Sequence, residues 1–277
     1  MTVKTIYFIF VNFNDSETTI RCIESIEQLV NIGSKIRTII IDNASNIVDY
    51  DLLRQKCLNK KNVALYRSEE NLGYFGGLNL GISKIYSTED HYVVIGNNDL
   101  LFPENFLELL QGKISLFESY PVVSPNIITL DGVHQNPHVI KNISRFREII
   151  FDLYFLAYPL ALLIKIIAKA TNKFTDRKDE LQHAVAQTIS QGYGACYILG
   201  PLFFKHFNNL WAPTFLMGEE LFLSKQLEGK GFKIFYEPSI IVKHCLHTSM
   251  AKIPGKRKWK IERDSHKIYR KYVKIWS

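Results

Sequence analysis

Asn97-Asn98-Asp99 places two amides and one carboxylate directly after the apolar run Tyr92–Gly96. A buried strand ending this way delivers short polar side chains to its carboxyl end, the edge on which open α/β sheets bind ligands. A lone carboxylate among oxygen donors suits a hard divalent cation that also holds substrate phosphates. Two further apolar runs end in the same chemistry, one in Asn12-Phe13-Asn14 and one in Asp42-Asn43. In a parallel sheet such ends share one edge, so these groups converge on a cleft suited to a base, a ribose and a metal–diphosphate. Three unrelated turns would use the same residue types, because Asn and Asp favour turns. Asn71-Leu72-Gly73-Tyr74-Phe75-Gly76-Gly77-Leu78-Asn79 adds a glycine-rich entry into a helix. Glycines let a backbone approach a ligand, and a helix N-terminus favours phosphate. The spacing is not GxGxxG, so it gives no support for a dinucleotide fold.

The elements that must position these groups alternate in type. Lys4–Val11 reads as a strand, and Ser16 as the cap of a helix with Ile20, Ile23, Ile26 and Val30 on one face. Strands are expected at Arg37–Ile41, Val63–Tyr66 and Tyr92–Gly96, with helices around Leu52–Leu58 and Gly73–Tyr86 and a helix opened by Pro103. This alternation predicts a parallel sheet with helices on both faces. Beyond Pro121 the pattern changes. Strands are expected at Val122–Leu130, Gly192–Leu199 and Phe232–Val242, with a turn at Asp131-Gly132 and a short helix over Leu221–Glu228.

The chain has 277 residues, enough to bury a full core, and its 47% hydrophobic content excludes global disorder. Its four cysteines form no CxxC pair, which fits reduced cytosolic thiols better than a disulfide frame or zinc site. The first apolar run lacks a small-residue cleavage site and reads as a strand, not a signal peptide. Charge is split: residues 1–144 hold 12 Lys/Arg and 16 Asp/Glu, whereas residues 145–277 hold 22 and 11. The basic half predicts an anionic surface or ligand met by one part of the molecule.

Val11-Asn12-Phe13-Asn14, Asp42-Asn43-Ala44-Ser45, Asn71 through Asn79 and Asn97-Asn98-Asp99 together resemble the ordered motifs of family 2 glycosyltransferases, closest to the bacterial rhamnosyltransferase-like branch. The resemblance covers residues 3–130 and 190–250. It implies a GT-A fold, a Rossmann-like mixed sheet with helices on both faces, and a nucleotide-sugar donor. It places Val11, Asn12, Asn14, Asp42, Asn43, Asn71, Gly73, Gly77, Asn79, Asn97 and Asn98 around that donor. Asp99, the last acid of a DxD-like triplet that here lacks its first acid, maps to the Mg or Mn ligand. Phe215 to Glu220 resembles the family's acidic pair, which makes Glu220 the base toward an acceptor hydroxyl and Glu219 the second choice; the family often has an Asp where Phe222 stands. His244, followed by Ser249, falls where the family has a His near the metal or diphosphate, with His247 as its competitor. The donor implied first is dTDP-rhamnose and next a UDP-sugar. The acceptor implied is a polyprenyl-linked or oligosaccharide glycan of capsule, O-antigen or cell wall, built at the inner face of the plasma membrane.

On this reading residues 1–250 form the GT-A domain, with a nucleotide-sugar half (1–130), an acceptor half (131–250) and a helical insertion at 145–178. Leu153–Ile164 is uncharged but too short to span a bilayer. Broken by Pro159, it suits a helical hairpin or an interfacial element with Arg145, Arg147, Lys165, Lys169 and Lys173 near headgroups, or else a helix packed on the core or in a homodimer interface. Residues 251–277 carry 10 Lys/Arg interleaved with Trp259, Ile268, Tyr269, Tyr272, Val273, Ile275 and Trp276. Such a basic amphipathic segment suits an anionic membrane surface. Nucleic acid would suit the tail as well, but the acidic first half disfavours it. The main rivals are a non-catalytic nucleotide-sugar-binding subunit of a polysaccharide assembly complex and a nucleotidyltransferase. The glycine-rich loop and Lys expected near the N-terminus of the latter are not seen.

Overall fold

The structure, a computed structural model, describes residues 5–86, 90–141, 143–171, 179–246 and 255–274. His247, Ser249, Lys173, Ile275 and Trp276 lie outside them. Four strands, β1 (Thr5–Asn12), β2 (Lys35–Asn43), β3 (Val63–Ser68) and β4 (Tyr92–Asn97), pair in parallel in the order β3-β2-β1-β4. In β1, Ile6, Phe8 and Phe10 face one side and Ile9 the other, all fully buried, as a strand covered on both faces requires. Helices α1 (Ser16–Glu27), α2 (Ile47–Cys57) and α4 (Phe106–Gln111) cover the Phe8 side. Helix α3 (Tyr74–Ile82), with α7 (Pro201–His206) and α8 (Glu219–Glu228), covers the Ile9 side.

The second half continues the same sheet but not in parallel. Strand β8 (Cys196–Leu199) runs antiparallel to β4 and to β6 (Val122–Thr129), and β6 pairs in parallel with β9 (Ile234–His244). Two short strands, β5 (Leu100–Leu101) and β7 (Gln187–Ile189), pair antiparallel with β9. The sheet of the described residues is therefore mixed, as the GT-A resemblance implies, and its first four strands are parallel, as their alternation with helices predicts.

Several local expectations are corrected. Ser16 is the first helical residue and not the cap; Asp15 precedes it, and the Ser16 N–H is taken by Asp49 Oδ1 at 2.9 Å. Helix α1 ends at Glu27, so Val30 lies beyond it and is 57% exposed. Pro103 stands three residues before α4, which starts after Asn105. Gly192–Ala195 is not strand; β8 begins at Cys196. Residues 145–171 form a hairpin of α5 (Arg145–Leu156) and α6 (Tyr158–Thr171), broken at Ala157 rather than Pro159, which fits into the first turn of α6.

The basic tail forms α9 (Gly255–Tyr272) and packs along the hairpin. Trp259 is buried and donates its indole N–H to Tyr154 O at 3.0 Å. Arg270 pairs with Glu148 (2.8 Å) and with Asp152, which also bonds His266 (2.7 Å); the Tyr269 hydroxyl donates to Glu148. Tyr272 sets its ring against Trp211 and Phe222. Among the described residues no helix is long and apolar enough to cross a membrane.

Candidate active site

The carboxyl ends of β1, β2 and β4 lie together, as parallel pairing demands: Asn12 is in register with Asp42, and Val11 with both Ile41 and Asn97. Asn12 is the hub. Its amide nitrogen lies 3.0 Å from Asp42 Oδ2, 3.1 Å from Ser45 Oγ and 2.9 Å from Asp49 Oδ2, so two protons are shared among three acceptors. Asp42 is fully buried, accepts the Ser45 N–H (3.2 Å), and has Arg67 Nε at 3.6 Å. Asn14, exposed and at φ 53°, accepts from the Asn46 N–H at 2.8 Å and thereby holds the rim beside Val11. Asn43 fixes the glycine-rich turn: its amide donates to Asn71 Oδ1 and Gly73 O (both 3.0 Å) and accepts from the Leu72 N–H (2.8 Å).

Glycines 73 and 77 are required by close approach. Gly73 has φ 75°, and a Cβ there would stand 1.9 Å from Phe215 O, which accepts the Tyr74 N–H. A Cβ at Gly77 would stand 2.8 Å from Val11 Cγ2, so its bare face lets α3 lie on β1. Asn79 is turned elsewhere: its amide makes a two-way bond with the backbone of Leu210, both at 2.8 Å. Asn98 also acts on structure, donating to Thr19 Oγ1 at 2.9 Å, and Thr19 donates to Asn12 Oδ1 at 2.8 Å. This relay ties the end of β4 to the end of β1.

Asp99 and His244 meet because β5 pairs with β9, with Leu100 opposite His244. Both are almost wholly buried, and His244 Nε2 lies 3.1 Å from Asp99 Oδ1. The contact is close but not aligned as a hydrogen bond, and neither Asp99 carboxylate oxygen has a hydrogen-bond partner among the described residues. Gln135 Oε1 lies 2.6 Å from His244 Nδ1, which must donate to that oxygen, so in the neutral ring Nε2 carries a lone pair. A lone pair and a buried carboxylate oxygen 3.1 Å apart call for a positive charge between or beside them. A divalent cation fits this donor set, and the Gln135 bond orients the imidazole as ligand partners do at metal sites. No cluster of three or more His, Cys, Asp or Glu exists among the described residues to complete such a shell. The remaining ligands would come from diphosphate oxygens and water. Asn97 borders the pair, with Nδ2 at 3.4 Å from His244 Nε2.

The acidic pair opens α8 after two consecutive left-handed residues, Met217 (φ 74°) and Gly218 (φ 87°). A non-glycine residue in that region stores strain, and here it aims the helix start back at the sheet. Glu219 is buried and accepts the Met217 N–H at 2.9 Å. Burial, and next the charge of Glu220, push its carboxyl up to about 8. Glu220 Oε1 accepts the Gly194 N–H at 3.3 Å, and the Tyr74 hydroxyl donates to Gly194 O at 2.9 Å. The adjoining Ala195 O accepts the Asn97 N–H at 2.9 Å. Glu220 is thus joined to the end of β4 through two residues. Thr19, Asp49, Tyr74 and Gln135 were not among the expected site residues. Tyr74 lay inside the glycine-rich segment, but nothing in sequence spacing marks Thr19 or Gln135.

This architecture is that of GT-A glycosyltransferases. The model of the family "Glycosyl transferase family 2" matches residues 7–168, more than half of the chain, and the chain belongs to that family. Similar solved structures include GalNAc-T7 with UDP, GalNAc and Mn2+, at 14% identity and TM-score 0.59, covering 89% of this chain and 44% of that one. The mannosyltransferase PcManGT of Pyrobaculum calidifontis, with GDP-Man and Mn2+, gives 13%, 0.56, 95% and 61%. TarS 1–349 of S. aureus, with UDP-GlcNAc, gives 11%, 0.55, 88% and 59%. At these identities the likeness is one of fold, and the chain spans between 44% and 61% of their lengths. No curated protein sequence matches the chain.

Proposed function

We propose that this protein is an inverting glycosyltransferase. It moves a sugar from a nucleoside diphosphate donor to a hydroxyl of a lipid-linked or growing bacterial surface glycan, at the cytoplasmic face of the membrane. The observation that carries this reading is the buried Asp99–His244 pair at the ligand-binding edge of the sheet, whose carboxylate oxygens lack hydrogen-bond partners among the described residues. Asp99 and His244 would hold Mg or Mn, which when bound neutralises the diphosphate leaving group. The ends of β1 and β2 would seat the nucleoside. The Mn2+ and nucleotide sugars of the similar structures support both assignments. Rhamnose, given as dTDP-rhamnose, is the sugar its motifs favour, with a UDP-sugar next.

Burial and the neighbouring Glu220 charge favour the protonated form of Glu219, and Glu220, which reaches the Gly194 N–H, is the carboxylate placed to accept a proton from the acceptor. As the acceptor hydroxyl bonds to the anomeric carbon, its proton passes to Glu220. The bond to the diphosphate oxygen breaks on the opposite face, and the leaving oxygen keeps the electron pair. The transition state is oxocarbenium-like, as in glycoside hydrolysis.

A panel of nucleotide sugars, with and without Mn, tests this by melting temperature and by product formation. The wild-type protein is stabilised by its donor only with metal, and Asp99→Asn loses that response. Glu220→Gln keeps donor binding and loses about 10²–10⁴-fold in transfer. Full transfer by Glu220→Gln would move the base elsewhere. An unchanged metal response in Asp99→Asn would remove the cation corner.

A further inference from the structure

The α5–α6 hairpin turns a row of large apolar side chains outward. Phe146, Leu156, Leu163 and Ile166 are 61%, 66%, 52% and 67% exposed. The acids of α5 and α6 are Glu148 and Asp152, and α9 holds both through Arg270, with His266 on Asp152. The outward face of the hairpin is therefore apolar and cationic. Arg145 is exposed at the start of α5, and Lys165 is exposed on α6 beside the Tyr154 ring (5.6 Å) and within reach of the Glu262 charge. The basic start of α9 lies at the hairpin bend. A Cβ on Gly255 would stand 3.4 Å from the Tyr158 hydroxyl, and exposed Lys256 and Arg257 follow.

We propose that this hairpin is the surface by which the protein lies on an anionic lipid bilayer. Its apolar side chains would enter the boundary between headgroups and acyl chains, with Arg145, Lys165, Lys256 and Arg257 at lipid phosphates. Helix α6 has 14 residues, about 21 Å of rise, against a hydrocarbon core of about 30 Å, so the hairpin lies in the interface and does not span it. A second copy of the chain fits this face poorly. A two-fold contact sets a surface against itself, and Arg145 and Lys165 would meet a face with no acid of the hairpin to pair with.

Helix α9, which holds the hairpin, also reaches the residues on either side of the acidic pair. On α9 the Ser265 hydroxyl donates to Leu216 O, and the Tyr272 ring packs on Phe222 of α8. An acceptor presented from a bilayer would thus reach the elements that carry Glu220. The inference rests on the membrane part of the function proposed above and not on the transfer chemistry.

Flotation of the intact protein with vesicles, alongside turnover on a water-soluble acceptor, separates the two. The wild-type protein should float with phosphatidylcholine–phosphatidylglycerol vesicles and bind phosphatidylcholine vesicles far less. Leu163→Glu with Ile166→Glu should weaken partitioning roughly a hundredfold. Arg145→Glu should weaken it roughly fivefold or more. Both variants should keep the wild-type melting temperature and soluble turnover, because the substituted side chains are exposed. Wild-type protein that stays soluble with anionic vesicles, or apolar variants that float as well as wild type, would overturn the proposal. So would a wild-type dimer that Leu163→Glu with Ile166→Glu makes monomeric, since a second copy would then cover the face. Loss of turnover with intact flotation would instead count against the transfer chemistry alone.

Discussion

Glu219 and Glu220 are neighbours in sequence but differ in surroundings. Glu219 folds back to accept the Met217 N–H, whereas Glu220 reaches to the Gly194 N–H at the edge of the cleft. Because the folded state binds the Glu219 proton more tightly than the unfolded chain does, this group contributes stability below its ordinary value of 4.5. That contribution is lost as pH rises toward about 8 and changes little beyond it. Glu219→Gln removes the slope. Urea unfolding of both proteins across this range should show the variant gaining on wild type up to about pH 8, by on the order of a few kcal/mol. A constant difference would mean that Glu219 ionises freely in the fold. The acids and amides of the cleft were legible in sequence because short polar residues closing apolar runs need no long-range information. Their partners were not. Thr19 looks like any helix residue until β1 and β4 stand side by side, and Gln135 has meaning only beside His244.

At the scale of elements, the glycine-rich entry to α3 is a joint between the two halves of the sheet. Gly73 meets the backbone of Phe215, the segment that leads into α8. Gly73→Ala would force a side chain onto Phe215 O at a positive φ. It should cost about 3 kcal/mol in thermal or urea unfolding and weaken donor binding as the 215–218 turn shifts. An unaltered melting curve would mean that the loop moves freely. Strands β1, β2 and β4 were readable because a strand buried on both faces is a continuous apolar run. Strand β5 was not, since two residues carry no period, and Gly192–Ala195 lies outside β8, with Gly192 and Gly194 in close contact with Ser124 and Glu220. The α1 face was read one turn too far, because Val30 continues the apolar spacing after the helix has ended.

For the whole molecule, α9 decides how the insertion sits. Arg270 is the centre of the clamp, and Arg270→Ala would leave Glu148 buried without its cation. Removing one member of a buried pair costs about 3–5 kcal/mol, and this pair, partly open on the arginine side, belongs at the lower end. Hydrogen exchange should show α5, α6 and α9 losing protection together while the strands β1–β4 keep theirs. Uniform loss across the molecule would mean that the clamp supports the central sheet itself. Composition made the basic tail visible but not its direction. Trp259 and Tyr272 look equally suited to lipid in sequence; packing buries Trp259 and sets one side of the still exposed Tyr272 ring against Trp211 and Phe222.

The two-residue ladder between β5 and β9 makes the proposed cation corner an outcome of complete assembly. Asp99 belongs to the segment matched by the family model, but His244, Glu219 and Glu220 all lie beyond residue 168. A ligand that bridges Asp99 and His244 can bind only after the last strand has returned to the first half. Its affinity therefore adds to the stability of the closed sheet. Occupancy of that corner would lock the fold as well as prepare the proposed reaction, and a chain with β9 undocked would forfeit both together.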